Sequence, residues 1–250
     1  MGNQTGSIVA IANQKGGVGK TTLAVHLAVA AARNHGQRVI LVDLDPQGNA
    51  TSWLLDGDLV DDVYRLMLLD EPPIKLVRGL RQWGIGLLGG NYRTGEALSM
   101  LAAVGKLGQV PQRIRPLARA ADLVIIDMPP SRMAGFTEML GSADWVIVPT
   151  KLERLSLEGV ALLAQTVGDT DGPRLMGVVP NMCRARTNEH QAQMQDLTEA
   201  FGQAVWPPIP LTIRVTEASS YGTTLFDLVP DEAATYAMEL IASRMMEAIR

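Results

Sequence analysis

Residues 11–36 read IANQKGGVGKTTLAVHLAVAAARNHG, and this stretch decides the fold. Before it, SIVAIA at 7–12 is a short apolar run rich in β-branched residues, suited to a buried strand. After it, residues 21–33 are rich in alanine and leucine, the composition of a helix. A glycine-rich turn between strand and helix lets successive backbone N–H groups point inward. The helix N-terminus adds its partial positive charge, so such a turn suits a polyphosphate. Gly16, Gly17 and Gly19 permit the tight wrap, with Val18 between them. Lys20 is then expected at the β and γ phosphates and the Thr21 hydroxyl on a magnesium ion, with Thr22 beside it in the first helical turn. The general phosphate-loop pattern has glycine at position 14, where this chain carries Gln14, and it needs only one lysine. The extra one, Lys15, is either a second functional cation or a solvated loop charge.

Working outward, RVILVDLD at 38–45 and ADLVIIDMPP at 121–130 are apolar runs ending in aspartate. Buried parallel strands deliver carboxylates to the carboxyl edge of a sheet in this way. DWVIVPT at 144–150 and RLMGVVPN at 174–181 supply two more strands, and helices are expected over 156–167, 187–201 and 231–249. Strands and helices alternate with no repeat, low-complexity tract or linker. That pattern predicts one α/β domain over residues 1–250, a mostly parallel twisted sheet with helices on both faces, with 1–6 as an N-terminal extension. Asp43 and Asp45 lie two apart; if both stay extended they share a face and can approach one metal and one attacking water. The alternative for any strand-end aspartate is a loop or helix cap.

Composition narrows the classes. A chain of 250 residues with 47% hydrophobic content and a net charge of −4 is neither disordered nor a generally basic nucleic-acid binder. One cysteine, Cys183, excludes a disulfide framework and a cluster held by several thiolates of one chain. The start MGNQTGS misses a myristoylation site because position 6 is glycine, and LAVHLAVAAA is too short to span a bilayer and is interrupted by His26. A soluble cytoplasmic protein is expected.

KGGVGKTT resembles the deviant Walker A loop of the ParA and MinD family of partition and positioning ATPases. The resemblance runs from about residue 7 to the C-terminus. It includes DLDPQGNAT, DMPPSRMAGFTEMLGSADWVIVPTKLERLSLEGV, NMCRARTNEH and IPLTIRVTEASSYG, and the last two favour the ParA branch. It implies ATP and Mg2+ as cofactors and Lys15 as a signature lysine that crosses to the partner subunit's nucleotide in an ATP-bound homodimer. It also implies Asp127 holding the metal through water, Asp43 in the metal shell, and Asp45 orienting the water that attacks the γ phosphate. Asn181 would set its amide against the adenine, with Pro208, Ile209 and Pro210 in the loop that closes over it; a lone Asn after a strand is otherwise a turn residue. Arg132 and Met133 depart from the family pattern, and no helix-turn-helix domain is expected before the ATPase, as in the family's short form. The arsenite-pump and nitrogenase iron-protein relatives are disfavoured by the single cysteine.

Function then reads as an ATPase, slow without a stimulating partner of the ParB type, that dimerises with ATP and binds nonspecific double-stranded DNA. It would be nucleoid-associated and partition a plasmid, a chromosome or a large protein cargo. The alternatives are a membrane-surface positioning ATPase of the MinD kind and an ATP-binding regulatory scaffold with little turnover. A membrane surface is not expected: the tail AATYAMELIASRMMEAIR has only Arg244 and Arg250 as basic residues and also carries Glu239 and Glu247. For DNA, the resemblance points to Arg214, with Arg184 and Arg186 flanking it. Residues 151–250, however, hold eight Lys and Arg against thirteen Asp and Glu, a net of −5. Residues 75–119 hold eight, Arg113 and Arg115 among them, against Glu96 alone, a net of +7. These are either a second DNA surface or scattered solvated charges.

Overall fold

The computed structural model describes residues 5–55, 62–69, 71–130, 133–168, 172–184 and 188–250. In chain order the elements are β1 (Ser7–Ile11), α1 (Lys20–His35), β2 (Val39–Asp43), α2 (Asn49–Leu54), α3 (Asp62–Leu68), β3 (Arg78–Leu80), β4 (Ile85–Leu88), α4 (Tyr92–Ala103) and α5 (Val110–Ile114). They continue with β5 (Leu123–Asp127), α6 (Phe136–Leu140), β6 (Trp145–Lys151), α7 (Arg154–Gly168), β7 (Arg174–Asn181), α8 (Asn188–Phe201), α9 (Arg214–Ser220), α10 (Leu225–Leu228) and α11 (Ala233–Ala248). The strands form one seven-stranded sheet in the order β3-β4-β2-β5-β1-β6-β7, parallel except for β3 at the edge.

The alternation of side chains across the pleat builds two cores. Ile8, Ile40, Val42, Val124 and Ile126 face the layer of α3 to α8. Val9, Ile11, Leu41, Leu123 and Ile125 face the layer of α1, α2 and α9 to α11. Because both faces are covered, the central strands are apolar throughout, which is why they were legible. β3 and β4 were not anticipated: they are three and four residues long, and each includes a glycine. Arg78 on β3 forks onto the buried Asp62 at the head of α3, at 2.7 and 3.1 Å.

α1 starts at Gly19 and stops where left-handed Gly36 returns its N–H to the Ala31 carbonyl. Its first turn carries no acidic side chain, so the positive end of the helix stays open to an anion. α11 buries Met238, Ile241, Ala242 and Met245 in the core that also takes α1.

Candidate nucleotide site

Parallel register brings the functional carboxylates together at the carboxyl edge of the sheet. Asp127 ends β5 level with Asp43 at the end of β2 and Ile11 at the end of β1, directly below the glycine loop. Above them opens a cleft of about 600 Å³. Gly16, Gly17, Gly19, Lys20, Thr21 and Thr22 form its floor and Asp45 overhangs it.

Asp127 is fully buried, and neither carboxylate oxygen meets full hydrogen-bond geometry, although the Thr21 hydroxyl lies close enough to favour the charged form. Burial, then the neighbouring Asp43, push its pKa well above the usual carboxylate range; the Thr21 hydroxyl beside it pulls the other way. Asp43 is pushed up to about 7, chiefly by burial, although Thr51 donates to its Oδ2 from both N–H (2.9 Å) and hydroxyl (2.7 Å). Lys20, 7% exposed, donates to the Lys15 carbonyl at 3.2 Å. Burial lowers its pKa, against the attraction of Asp127 and Asp45. An ammonium and a buried carboxylate packed at the mouth of a helix N-terminus suit a polyanion together with a cation. Among the described residues, no three His, Cys, Asp or Glu side chains could by themselves cage a metal. The donors gathered here, the Thr21 hydroxyl and the Asp127 and Asp43 carboxyls, are all oxygen, a set that fits Mg2+, which keeps water and phosphate oxygens in its shell.

Asp43 and Asp45 do not share an extended face, because β2 ends at Asp43. Asp45 enters a turn, accepting from Gln47 N at 2.9 Å, and lines the cleft while Asp43 points into Thr51. Val18 has its side chain fully buried and gives its carbonyl to Asn181 Nδ2 at 2.8 Å. The Asn181 oxygen accepts from Met182 N, so this amide braces the loop and keeps one N–H and one lone pair for another partner.

Pro208, Ile209 and Pro210 are not among the residues lining the cleft. They run beside the end of β7, where Ile209 N donates to the Pro180 carbonyl and Cys183 pairs with Pro210. Val215, Thr216, Ser219 and Ser220 on α9, with Met182, form a wall of the cleft. Ser52 and Trp53 on α2 complete it. The segments of Met182 and of the α9 residues, NMCRARTNEH and IPLTIRVTEASSYG, carry the family resemblance, but no local spacing says that these side chains face the loop; only the tertiary fold brings α9 to it.

A family model described as an AAA domain matches residues 6–172. The chromosome-partitioning ATPase Soj of Thermus thermophilus is 36% identical over 250 residues, covering 97% of this chain and 96% of that one. The chain belongs to the ParA/MinD family. Among solved structures, an ATP complex of a variant of Cyanothece McdA has a TM-score of 0.85 at 22% identity, covering 98% of this chain and 96% of that chain. Cobyrinic acid a,c-diamide synthase from Mycobacterium smegmatis, solved with an ATP analogue and magnesium, has a TM-score of 0.82 at 29% identity, covering 97% and 94%.

Against this ParA/MinD background, Lys15, expected to cross to a partner, is engaged within its own chain. Lys15 Nζ donates to Glu153 Oε2 at 2.5 Å, in the loop between β6 and α7. Arg214, the first residue of α9, is paired with Glu217 at 2.8 Å and Glu232 at 3.1 Å, so two carboxylates offset its charge. Arg184 is exposed and lies beside Met182 and Leu211, near the same end of β7. Arg186 and Arg132 lie outside the described residues.

Arg115 reaches Asp144 at 3.4 Å, just before β6, and Arg113 donates to the Leu69 carbonyl. Asp144 also accepts from Ile8 N, which places Arg115 at the amino edge of the sheet. A five-residue strand separates that edge from the cleft, roughly 17 Å. The structure thus divides the candidate DNA residues between opposite edges. No helix among the described residues is long and apolar enough to cross a membrane.

Proposed function

We propose that this chain is a ParA-type positioning ATPase: it binds ATP with Mg2+, dimerises around it, holds nonspecific DNA as the ATP dimer, and is reset by hydrolysis when an adaptor protein stimulates it. The observation that carries this reading is the buried Asp127 carboxylate beside Lys20 and Thr21 at the foot of the glycine loop. Loop N–H groups and the α1 N-terminus bind the phosphates, and Lys20 neutralises the β and γ oxygens. Thr21 would hold the metal directly and Asp127 through water, with Asp43 in the same shell. Bound Mg2+ supplies charge neutralisation across the phosphate oxygens. Asp45, overhanging the cleft, orients the attacking water. Lys15 leaves Glu153 to meet the second subunit's nucleotide, an exchange of one exposed ion pair, which itself holds at most about 1 kcal/mol.

The partition role rests on the Soj relative, and the identity of the cargo is a matter for its genetic neighbourhood. A MinD-like membrane role is less favoured, because the α11 apolar face is already buried against α1. Co-sedimentation with DNA and with anionic liposomes, each in ADP and in ATP, tests the choice. The expected outcome is ATP-dependent pelleting with DNA alone; ATP-dependent pelleting with liposomes alone would reverse it.

A further inference from the structure

One hydroxyl ties the nucleotide edge of the sheet to the head of α4. Thr51, buried on α2, donates from Oγ1 to Asp43 Oδ2 at 2.7 Å and accepts from Gly90 N at 2.9 Å. The directions are fixed, since an amide N–H can only donate, and a hydroxyl has one proton to give Asp43. Around this bridge, the turn that carries Asp45 lies on the start of α4 with no side chain between. A methyl group on Gly48 would come within 2.6 Å of the Gly90 carbonyl, and one on Gly90 within 2.2 Å of the Asp43 carbonyl. Gly95, in the first turn of α4, faces the Pro46 ring at 3.4 Å from the same construction. Asn91 and Thr94 cap α4 immediately beyond, so the bridge ends on a rigid helix.

We propose that Thr51 is a positioning residue for hydrolysis: through Asp43 and Gly90 it makes residues 45–48, α2 and the head of α4 one body, and so holds Asp45 over the cleft. This rests on the reading of Asp45 as the water-orienting group. Backbone packed on backbone has no side chain to yield, so a turn that shifts around a γ phosphate must carry α4 with it or break the Thr51 bridge. Valine at 51 keeps the shape and removes the hydroxyl, leaving the Gly90 N–H and one Asp43 contact unmet; serine keeps both bonds.

The test compares wild type, Thr51→Val, Thr51→Ser and Asp45→Ala. It reads ATP affinity with a fluorescent ATP analogue, single-turnover hydrolysis at saturating ATP and magnesium, and amide hydrogen exchange at Gly90 without nucleotide. Thr51→Val is expected to bind the analogue within about threefold of wild type, to hydrolyse ATP about tenfold more slowly, and to exchange Gly90 about tenfold faster. Thr51→Ser should return both rates to near wild type. Unchanged Gly90 exchange in Thr51→Val, or slow hydrolysis that serine does not rescue, overturns the proposal. Normal hydrolysis by Thr51→Val while Asp45→Ala is inactive overturns the role of Thr51 alone. Equal hydrolysis by wild type and Asp45→Ala overturns the reading of Asp45, and the role of Thr51 falls with it.

Discussion

Lys20 is a buried cation that the fold tolerates because Asp127 and Asp45 lie within its field. In Lys20→Ala that cation is lost while the loop backbone remains, so ATP affinity should fall by roughly a hundredfold, the worth of a charge-assisted contact to phosphate. Isothermal titration checks it, and unchanged affinity would mean that the phosphates lie elsewhere. His26 shows the opposite use of burial. Its ring accepts from Leu225 N at Nε2 and donates from Nδ1 to the Thr22 carbonyl, and burial lowers its pKa to about 4. The unfolded chain therefore takes up the proton first, near its ordinary value of 6.5, and the native state resists down to about 4. The stability contributed by His26 is complete above pH 6.5 and is lost as pH falls through this window. Between about pH 7 and about pH 5 the stability advantage of wild type over His26→Gln should shrink by about 2 kcal/mol in urea titrations. A constant difference would show that His26 is not the neutral, doubly bonded ring described.

At the scale of elements, the phosphate loop is held from outside itself. Gly19 begins α1 with φ +93°, and a methyl group there would sit 2.1 Å from Asn181 Nδ2, the atom that grips the Val18 carbonyl. Gly19→Ala should therefore cost on the order of 2–4 kcal/mol, strain plus a displaced brace, and lower both the melting temperature and ATP affinity. A variant that melts with wild type would put the brace in question. The same loop explains what could be read in advance. Its glycines, Lys20 and Thr21 carry their chemistry in local spacing, as do the strand-end aspartates, so the floor of the site was legible from sequence. The walls were not, since Trp53, Met182 and Ser219 come from three separate segments and no local spacing says that their side chains face the cleft, even where a segment itself resembles the family. The same holds for the short edge strand β3, whose pairing with β4 depends on position in the sheet rather than on its own apolar content.

For the whole molecule, the distribution of charge decides where DNA would lie. Much of the basic charge of residues 75–119 is engaged internally: Arg78 on Asp62, Arg115 on Asp144, and Arg93 stacked over Tyr64 at 3.8 Å. Arg214 carries two carboxylates of its own, and DNA would compete with both. The resemblance nevertheless points to Arg214, and on that reading Arg214→Ala is expected to weaken ATP-dependent binding to unrelated DNA sequences alike and to flatten its salt dependence, with dimerisation intact. Loss of binding in Arg113→Ala with Arg115→Ala, but not in Arg214→Ala, would transfer the footprint to the amino edge of the sheet.

Underlying all of these is the claim that ATP, sensed by one buried site, joins two chains. Sedimentation velocity of Asp45→Ala in saturating ADP and then in saturating ATP with magnesium tests that claim most directly, because this variant should bind ATP without consuming it. A single chain is expected in ADP and a stable two-chain species in ATP, lost again when Lys15→Ala is added. A single chain in both nucleotides, with ATP demonstrably bound, would contradict it.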